Sequence, residues 1–419
     1  MAYDVDTHWV IRSDGDNDNG SGFADLNPGT SIDYSNQAAA QASFTDLAMT
    51  TGGTTLTSAS AQFTAEMEGN CIYIKSGTHF NAGYYQINGF NSATSVEIDQ
   101  DATDGSSASG GLGKVGGGRA TITDAFLEGI AAGNTVYVMQ GSYTLAADLD
   151  IGKVGTTSAS INLFGYTVEV GDYPRGDTRP LIDCDTYDVL FPNYWRIRGL
   201  RFTLNNTQGL QLTGIANMII NCRVDQTASG GHGVYCNGPA VQGMRVLDCH
   251  IVNTGGAATG AGVNANAYNV FVSCCKIWDF ATGILVAVDQ HSMISDGNII
   301  DTCTDSGIEL GANRAYIRWT TIYNCGIGVN GNTWINTHIR NCLIDTCTNG
   351  VKWTGAQIVF MDYNNWNGNG TDISGAGVTK GSHATAFDPL FTNAAGGNFA
   401  LQAGSPVIQA GARIRVGVG

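Results

Sequence analysis

"NIIDTCTDSGIEL", from Asn298 to Leu310, and "NCLIDTCTNGVKW", from Asn341 to Trp353, carry the same five residues "IDTCT" forty-four positions apart. Midway between them stands "TIYNCGIGVN", whose Cys325 is twenty-two residues from both Cys303 and Cys347. One structural turn is therefore written three times. Self-similarity at a period of this size marks a stacked, solenoid-like architecture.

The period extends well beyond these three turns. The fragments "IRGLRF", "IINCRV", "VLDCHI", "VSCCKI", "ISDGNI", "IRWTTI" and "IRNCLI" open on Ile197, Ile219, Val246, Val272, Ile294, Ile317 and Ile339, at spacings of 22, 27, 26, 22, 23 and 22. Each closes on an apolar residue five positions later: Phe202, Val224, Ile251, Ile277, Ile299, Ile322 and Ile344. An offset of five breaks strand alternation, so each fragment must bend. The expected bend lies two residues after the opening position, at Gly199, Asn221, Asp248, Asp296 and Asn341. These residue types tolerate left-handed backbone. A third apolar run follows each fragment ("GLQL", "GVYC", "GVNA", "GILV", "GIEL", "GIGV", "GVKW"). Three short strands per turn of about 22 residues is the plan of an all-β, right-handed parallel β-helix, with like residues stacked coil on coil. Cys303, Cys325 and Cys347 are then expected in one inward column, and Cys222, Cys249, Cys275 and Cys342 in another. A free Cys behaves there as a small apolar residue.

Composition agrees. The 57 glycines among 419 residues are about twice the usual share, and charged residues, at 13%, are about half of theirs. Turn formers are favoured over helix formers, as many short strands require. The formal charge of −16 argues against nucleic acid and against anionic membrane surfaces as partners. No apolar run approaches a membrane span, and "MAYDVDTHWVIRS" has neither the basic start nor the apolar stretch of a signal peptide. Folding in a cytoplasm is expected. Eleven cysteines without a CxxC pair make zinc an unsuitable cofactor.

The repeat resembles that of the pectate-lyase-like right-handed β-helix proteins. "GGGRATITDAFLEGIAAGNTVYVMQGSYTL" (Gly116–Leu145) is similar to the capping helix and first strand of that family. Ile122, Phe126 and Ile130 fall on one helix face, and Thr123 or Asp124 is placed to cap it. "FDPLFTNAAGGNFALQAGSPVIQAG" (Phe387–Gly411) resembles the closing segment of many surface β-helix proteins, and "THWVIRSDGDNDNGSGFADLN" (Thr7–Asn27) resembles the start of β-helix virion proteins of tailed bacteriophages. The expected division is a β-rich N-terminal region over 1–111, serving as an attachment unit, a β-helix over 112–386, and a closing segment over 387–419. "GNCIYIKSG" (Gly69–Gly77) echoes "GNTVYVMQG" (Gly133–Gly141), which suggests an N-terminal unit of related design, and "DGSSASGGLGKVGGG" (Asp104–Gly118) reads as a flexible join.

The resemblance implies either a polysaccharide-cleaving enzyme or an inert scaffold. A β-helix glycosidase needs two carboxylates across the scissile bond. The Asn-Thr-Asp, Asp-Asp, His-Gly and Arg-x-Lys set of the galacturonan hydrolases is not assembled here, nor is the acidic calcium ladder of the pectate lyases. The expectation leans to a non-enzymatic structural virion protein decorating a capsid or another exposed part of a phage particle. Its partners would be a major capsid protein and further copies of itself, a trimer being favoured. The alternative is a tailspike that binds or cleaves host surface polysaccharide.

Three groups of candidate site residues follow. The two lengthened coils place extra loops at "DQTASGGHG" (Asp225–Gly233) and "VNTGGAATGAG" (Val252–Gly262), where Asp225, His232 and His250 are candidates to meet a glycan. In "SDGDNDNG", Asp14, Asp16 and Asp18 alternate as in a Ca²⁺ loop, although no Glu closes it. Cys71, Cys184 and Cys236 fall outside both columns and are candidates for disulfides between subunits, formed after host lysis. Glu309, in the coils, alternates with Ile308 and Leu310 and should point outward.

Overall fold

The computed structural model describes residues 7–23, 37–123, 127, 130–256, 259–287, 292–311, 315–331, 337–355, 359–376 and 378–410. The chain divides into two compact units, Met1–Asp183 with Asn193–Arg201, and Cys184–Pro192 with Phe202–Gly419.

In the second unit every coil carries three short strands, and each pairs in parallel with the matching strand of the next coil. Representative strands of the first sheet are Arg245–Leu247, Phe271–Ser273 and Ser292–Ser295. Those of the second are His250–Asn253, Lys276–Trp278 and Ile299–Asp301, and those of the third Ala261–Tyr268, Thr282–Val286 and Ser306–Leu310. The register stacks Ile219, Val246, Val272, Ile294, Ile317, Ile339 and Met361 in one inward column. The third sheet stacks Val263, Ile284, Ile308, Val329 and Val351 in the same way. Nearly all of these side chains are completely buried, each worth roughly 1.5–3 kcal/mol of apolar transfer.

The corner between the first and second strands is a single left-handed residue. Asn221, Asp248, Asp296 and Asn341 have φ of 49–60° and Gly199 has 67°, as their types suggest, but Cys274 (55°), Trp319 (46°) and Tyr363 (56°) share the conformation. Several corner amides reach the coil beyond, whereas that of Tyr363 donates to its neighbour Asp362 Oδ1 (3.0 Å). Asp248 donates to the Ser273 carbonyl (3.0 Å) and Trp319 to that of Arg340 (3.3 Å). A second left-handed corner closes the second strand at Asp279, Thr302, Asn324 and Thr346.

One coil departs from the expected register. Ile300, not Ile299, stacks on Ile277 and Ile322, and Ile299 pairs with Lys276 and Thr321 on the outer side. The cause is one extra residue, Gly297 (φ 88°), after the corner at Asp296. The buried Asn298 then occupies the cysteine position. It accepts the Cys275 amide (3.0 Å) and donates to the Val272 (3.0 Å) and Ser295 (2.9 Å) carbonyls. Cys222, Cys249 and Cys275 therefore form a column that Asn298 and Thr320 continue before Cys342; Cys303, Cys325 and Cys347 form the other, and all seven are buried.

The first unit contains parallel rungs as well. His8–Ile11 pairs with Thr135–Met139, which pairs with Ile161–Tyr166, which pairs with Trp195–Arg198. The expected division at residue 111 is thereby corrected: the opening strand belongs to a sheet whose next strand lies past residue 130. Between these rungs six antiparallel strands close a barrel: Ala42–Met49, Thr55–Thr57, Cys71–Thr78, Gly83–Ser92, Ser95–Ile98 and Ala108–Val115. Phe44 and Phe63 stack at 4.4 Å in its core. The echo between Gly69–Gly77 and Gly133–Gly141 thus hides two different pairings: the first copy is paired antiparallel with Gly83–Ser92, the second in parallel with Ile161–Tyr166. The expected flexible join is also corrected. Ala108–Val115 is the strand that closes the barrel against Ala42–Met49 and Cys71–Thr78. Its glycines admit close packing: a Cβ on Gly111 would lie 2.6 Å from the Phe80 ring, and one on Gly113 2.7 Å from Leu47 Cδ1.

Of the expected capping helix, residues 124–126 and 128–129 lie outside the described residues. Leu127 donates to the Thr123 carbonyl (3.0 Å), and Ile122, Leu127 and Ile130 are buried. In the closing segment Phe391–Asn393 and Asn398–Leu401 form a hairpin, followed by a 3₁₀ turn at Pro406–Gln409.

The glycine that opens each third strand is fixed by the isoleucine column. A Cβ on Gly283 would stand 2.4 Å from Ile300 Cγ2, and one on Gly307 2.6 Å from Ile322 Cγ2. Gly283→Ala should cost about 1–3 kcal/mol of stability by overpacking. Gly404→Ala, with nothing within 4 Å of its Cβ, should change stability by less than about 0.5 kcal/mol. Chemical denaturation of both variants checks the difference.

Candidate functional site

The three glycan candidates have different surroundings. Asp225 is buried and takes the Arg223 guanidinium at 2.8 Å. His232 works between coils: its Nδ1 accepts the Ala261 amide (3.0 Å) and its Nε2 lies 3.2 Å from Asn264 Nδ2. Burial holds its pKa below the ordinary value. Both lengthened loops are pinned by buried amides. Gln226 donates to the Asn206 (3.0 Å) and His232 (2.6 Å) carbonyls, and Asn253 accepts from Gly255 (2.8 Å). Glu309 faces outward and accepts from Thr282 (3.4 Å).

His250 lines a cavity. It stands edge-on to Trp278 (5.8 Å, 71°) at the mouth of a cleft of about 570 Å³ between the outer face of the second sheet and the closing hairpin. Lys276 and Trp278 flank the inward Ile277 and so face outward. The next coil contributes Asp301 and Thr302, and the opposite wall is Phe399 with the turn Ala395–Gly397. Phe399 is braced edge-to-face by Tyr323 (5.3 Å) and Phe391 (5.2 Å).

Asp301 is the unusual member. Its register neighbours are Trp278 and Tyr323, one coil to either side. Its Oδ1 is buried without a hydrogen-bond partner. Burial, with the Asp279 charge beside it, pushes its pKa up to about 6. Asp345 repeats Asp301 two coils on, but its Oδ1 receives Thr346 Oγ1 (2.7 Å) and Asn367 Nδ2 (3.1 Å). The neighbouring coil decides the contrast: it offers Asn367 to Asp345 and the Tyr323 ring to Asp301. Outward Trp278 flanking an inward Ile is visible in the sequence; Phe399, about a hundred residues away, is not.

The family model described as a right handed beta helix region matches residues 189–336. The chain has the right-handed parallel β-helix fold. No curated protein matches it in sequence. Among solved structures it is similar to pectate lyase Pel9A, at 14% identity over 72% of this chain and 88% of that one, with a TM-score of 0.46. It is similar also to the PL6 family alginate lyase AlyGC (13% identity, 58% and 37% covered, TM-score 0.45). A third is the enzymatically active domain of bacteriophage CBA120 tailspike protein 2 (12% identity, 63% and 40% covered, TM-score 0.37). The chain spans most of the pectate lyase and no more than 40% of the other two. At these identities the likeness is one of fold.

The aspartates of the opening turn are not gathered around one point. Asp14 pairs with Arg12 (2.9 Å), Asp18 with Lys75 (2.6 Å), and Asp16 with Lys114. The side-chain bonds from Arg12 and Lys114 hold Asp14 and Asp16 below the usual carboxylate pKa. Two of the three cations come from barrel strands, so this β-helix uses the triplet to tie its opening turn to the barrel. Among the described residues no group of three or more His, Cys, Asp or Glu is placed to hold a metal ion.

The cysteines expected to bridge subunits lie in the interior of the chain. None of the eleven cysteines is disulfide-bonded, and Cys71, Cys184 and Cys236 are wholly buried. Desolvation pushes the Cys236 thiol up to about 12. Cys274, at a corner, is the exposed one. Titration of the native protein with a chromogenic disulfide reagent should find one rapidly reacting thiol, removed by Cys274→Ser, and eleven in denaturant.

Asp301 also predicts a pH dependence. Its folded pKa lies above the unfolded value of about 3.9, so between about pH 4 and 6 the folded state holds a proton that the unfolded state has lost. Stability from this group is present below about pH 4 and is lost as pH rises through 6. Asp301→Asn should therefore raise the melting temperature at pH 7 more than at pH 4. Melting curves across that range check it.

Proposed function

We propose that this β-helix is a non-enzymatic structural protein of a tailed-phage particle, displayed on the capsid or another exposed part of the virion. One observation carries the non-enzymatic reading. The side chains that a glycan-cleaving reading would need are engaged in holding the shaft: Asp225 by Arg223, His232 by Ala261 and Asn264, Glu309 by Thr282. The resemblance of Thr7–Asn27 to the start of phage virion β-helices supports the setting. That segment supplies the rung His8–Ile11 and the aspartates tied to the barrel. Its partners in this setting are a major capsid protein and further copies of the chain, a trimer being the favoured assembly.

Antibody labelling of purified particles under the electron microscope tests the proposal. Label spread over the head supports it. Label confined to the tail tip would replace it with the tailspike reading, and unlabelled particles would overturn both.

A further inference from the structure

We propose that the outward face of the first sheet, in its last three rungs, docks an acidic polypeptide segment. An aromatic side chain of that segment stacks on Phe360, and its carboxylates pair with Arg318 and Arg340. The inference concerns a contact surface of the second unit and does not depend on display on a particle.

The rungs are Ala315–Arg318, Thr337–Arg340 and Val359–Asp362, and their register sets Tyr316, His338 and Phe360 in one outward column. The rings form a ladder. Tyr316 and His338 lie 5.1 Å apart at 14°, and His338 and Phe360 4.9 Å apart at 19°. Phe360 ends the ladder and is 49% exposed; Met293, one coil before Tyr316, is 40% exposed. A cleft of about 290 Å³ opens beside Phe360, with Arg340, Gly381 and Ser382 in its walls. That volume is at the lower limit for small-molecule sites and suits one inserted side chain. Aromatic, Met and Arg side chains together are the composition of protein–protein contacts.

The charge of the patch selects an acidic occupant. Arg318 and Arg340 are register neighbours, and burial together with their two charges holds the His338 pKa below its ordinary value. The corners of these rungs are the uncharged Trp319, Asn341 and Tyr363, whereas Asp248 and Asp296 hold that place in earlier coils. Among the described residues no carboxylate pairs with Arg318, whose guanidinium lies over the Tyr316 ring (5.4 Å). Asp362, third in the arginine row, is 3.9 Å from Arg340 but nearer His383, at 3.0 Å. Two neighbouring like charges repel; carboxylates from outside relieve this and can meet each guanidinium in a fork. The chain as a whole, at −16, repels an extended polyanion. A short acidic segment, not nucleic acid, therefore fits a patch of two arginines.

The test measures binding of the full chain to a fluorescent random copolymer of Glu and Tyr by anisotropy. Poly-Glu, oligo-dT and phosphatidylserine vesicles are the comparators. The Glu–Tyr copolymer is expected to bind most tightly, with affinity falling as salt rises. Phe360→Ala and Arg318→Gln should each weaken it about tenfold or more while keeping a native melting transition. Arg340→Gln repeats the charge test if Arg318→Gln folds poorly. Lys352→Gln, outward on the third sheet, should leave the affinity unchanged. No binding of the copolymer, tighter binding of oligo-dT or the vesicles, or affinity unchanged by Phe360→Ala would overturn the inference. An equal loss in Lys352→Gln, or self-association in sedimentation that Phe360→Ala abolishes, would overturn it too. None of these outcomes depends on where antibody labels a particle.

Discussion

At Asn221, Asp248, Trp319 and Asn341 the corner amide donates to a carbonyl on the coil beyond it, and much else in the second unit is a consequence of that bond. A residue turning through about 50° of positive φ directs its N–H along the stacking direction, as Asp248 does toward Ser273 and Asn324 toward Asp345. An L-residue gives up about 1–2 kcal/mol to adopt this conformation, and the bond to the next coil offsets it. Because the same bond recurs coil after coil, the register cannot drift. Isoleucine stands on isoleucine, cysteine on cysteine, and the glycine before each third strand on another glycine. That is why even Trp319 is held in a backbone region that its bulk disfavours.

A repeated register converts small local changes into column-wide effects. Gly297 adds one residue after a corner, and the chain absorbs it by moving Ile299 outward, Ile300 inward and Asn298 into the cysteine position. The asparagine is tolerated there because it finds one amide and two carbonyls at 2.9–3.0 Å. A buried polar side chain costs little only when every such partner is present. The same principle governs the lengthened loops, where Gln226 and Asn253 make backbone bonds that their buried side chains would otherwise leave unmet.

This explains how much could be read from the sequence. Period, corners and inward columns were legible because each is written in residue type at fixed spacing, and Gly199, Asn221 and Asn341 name their own conformation. The barrel was not legible. Its strand Cys71–Thr78 uses the same alternation as the rung Thr135–Met139, and only the pairing differs: Gly83–Ser92 returns antiparallel on the first, whereas Ile161–Tyr166 lies parallel to the second. The glycines of Ala108–Val115 read as flexibility when they are close-packing positions over Phe80 and Leu47. The aspartates at 14, 16 and 18 alternate like metal ligands, but the sequence does not reveal that Lys75 and Lys114 will face two of them.

Sites on such a shaft arise where an outward column stops repeating. In the column Trp278, Asp301, Tyr323, Asp345, Asn367, the last two residues answer each other with a hydrogen bond of 3.1 Å. Asp301 instead lies between two aromatic rings, neither of which offers its Oδ1 a donor. The closing hairpin then sets Phe399 opposite, so that Asp301 lines a walled cleft and not open surface. A shaft whose outward columns repeated strictly would be self-satisfied and inert. The break at Asp301 leaves a carboxylate that is held by Thr302 yet buried without a donor at Oδ1.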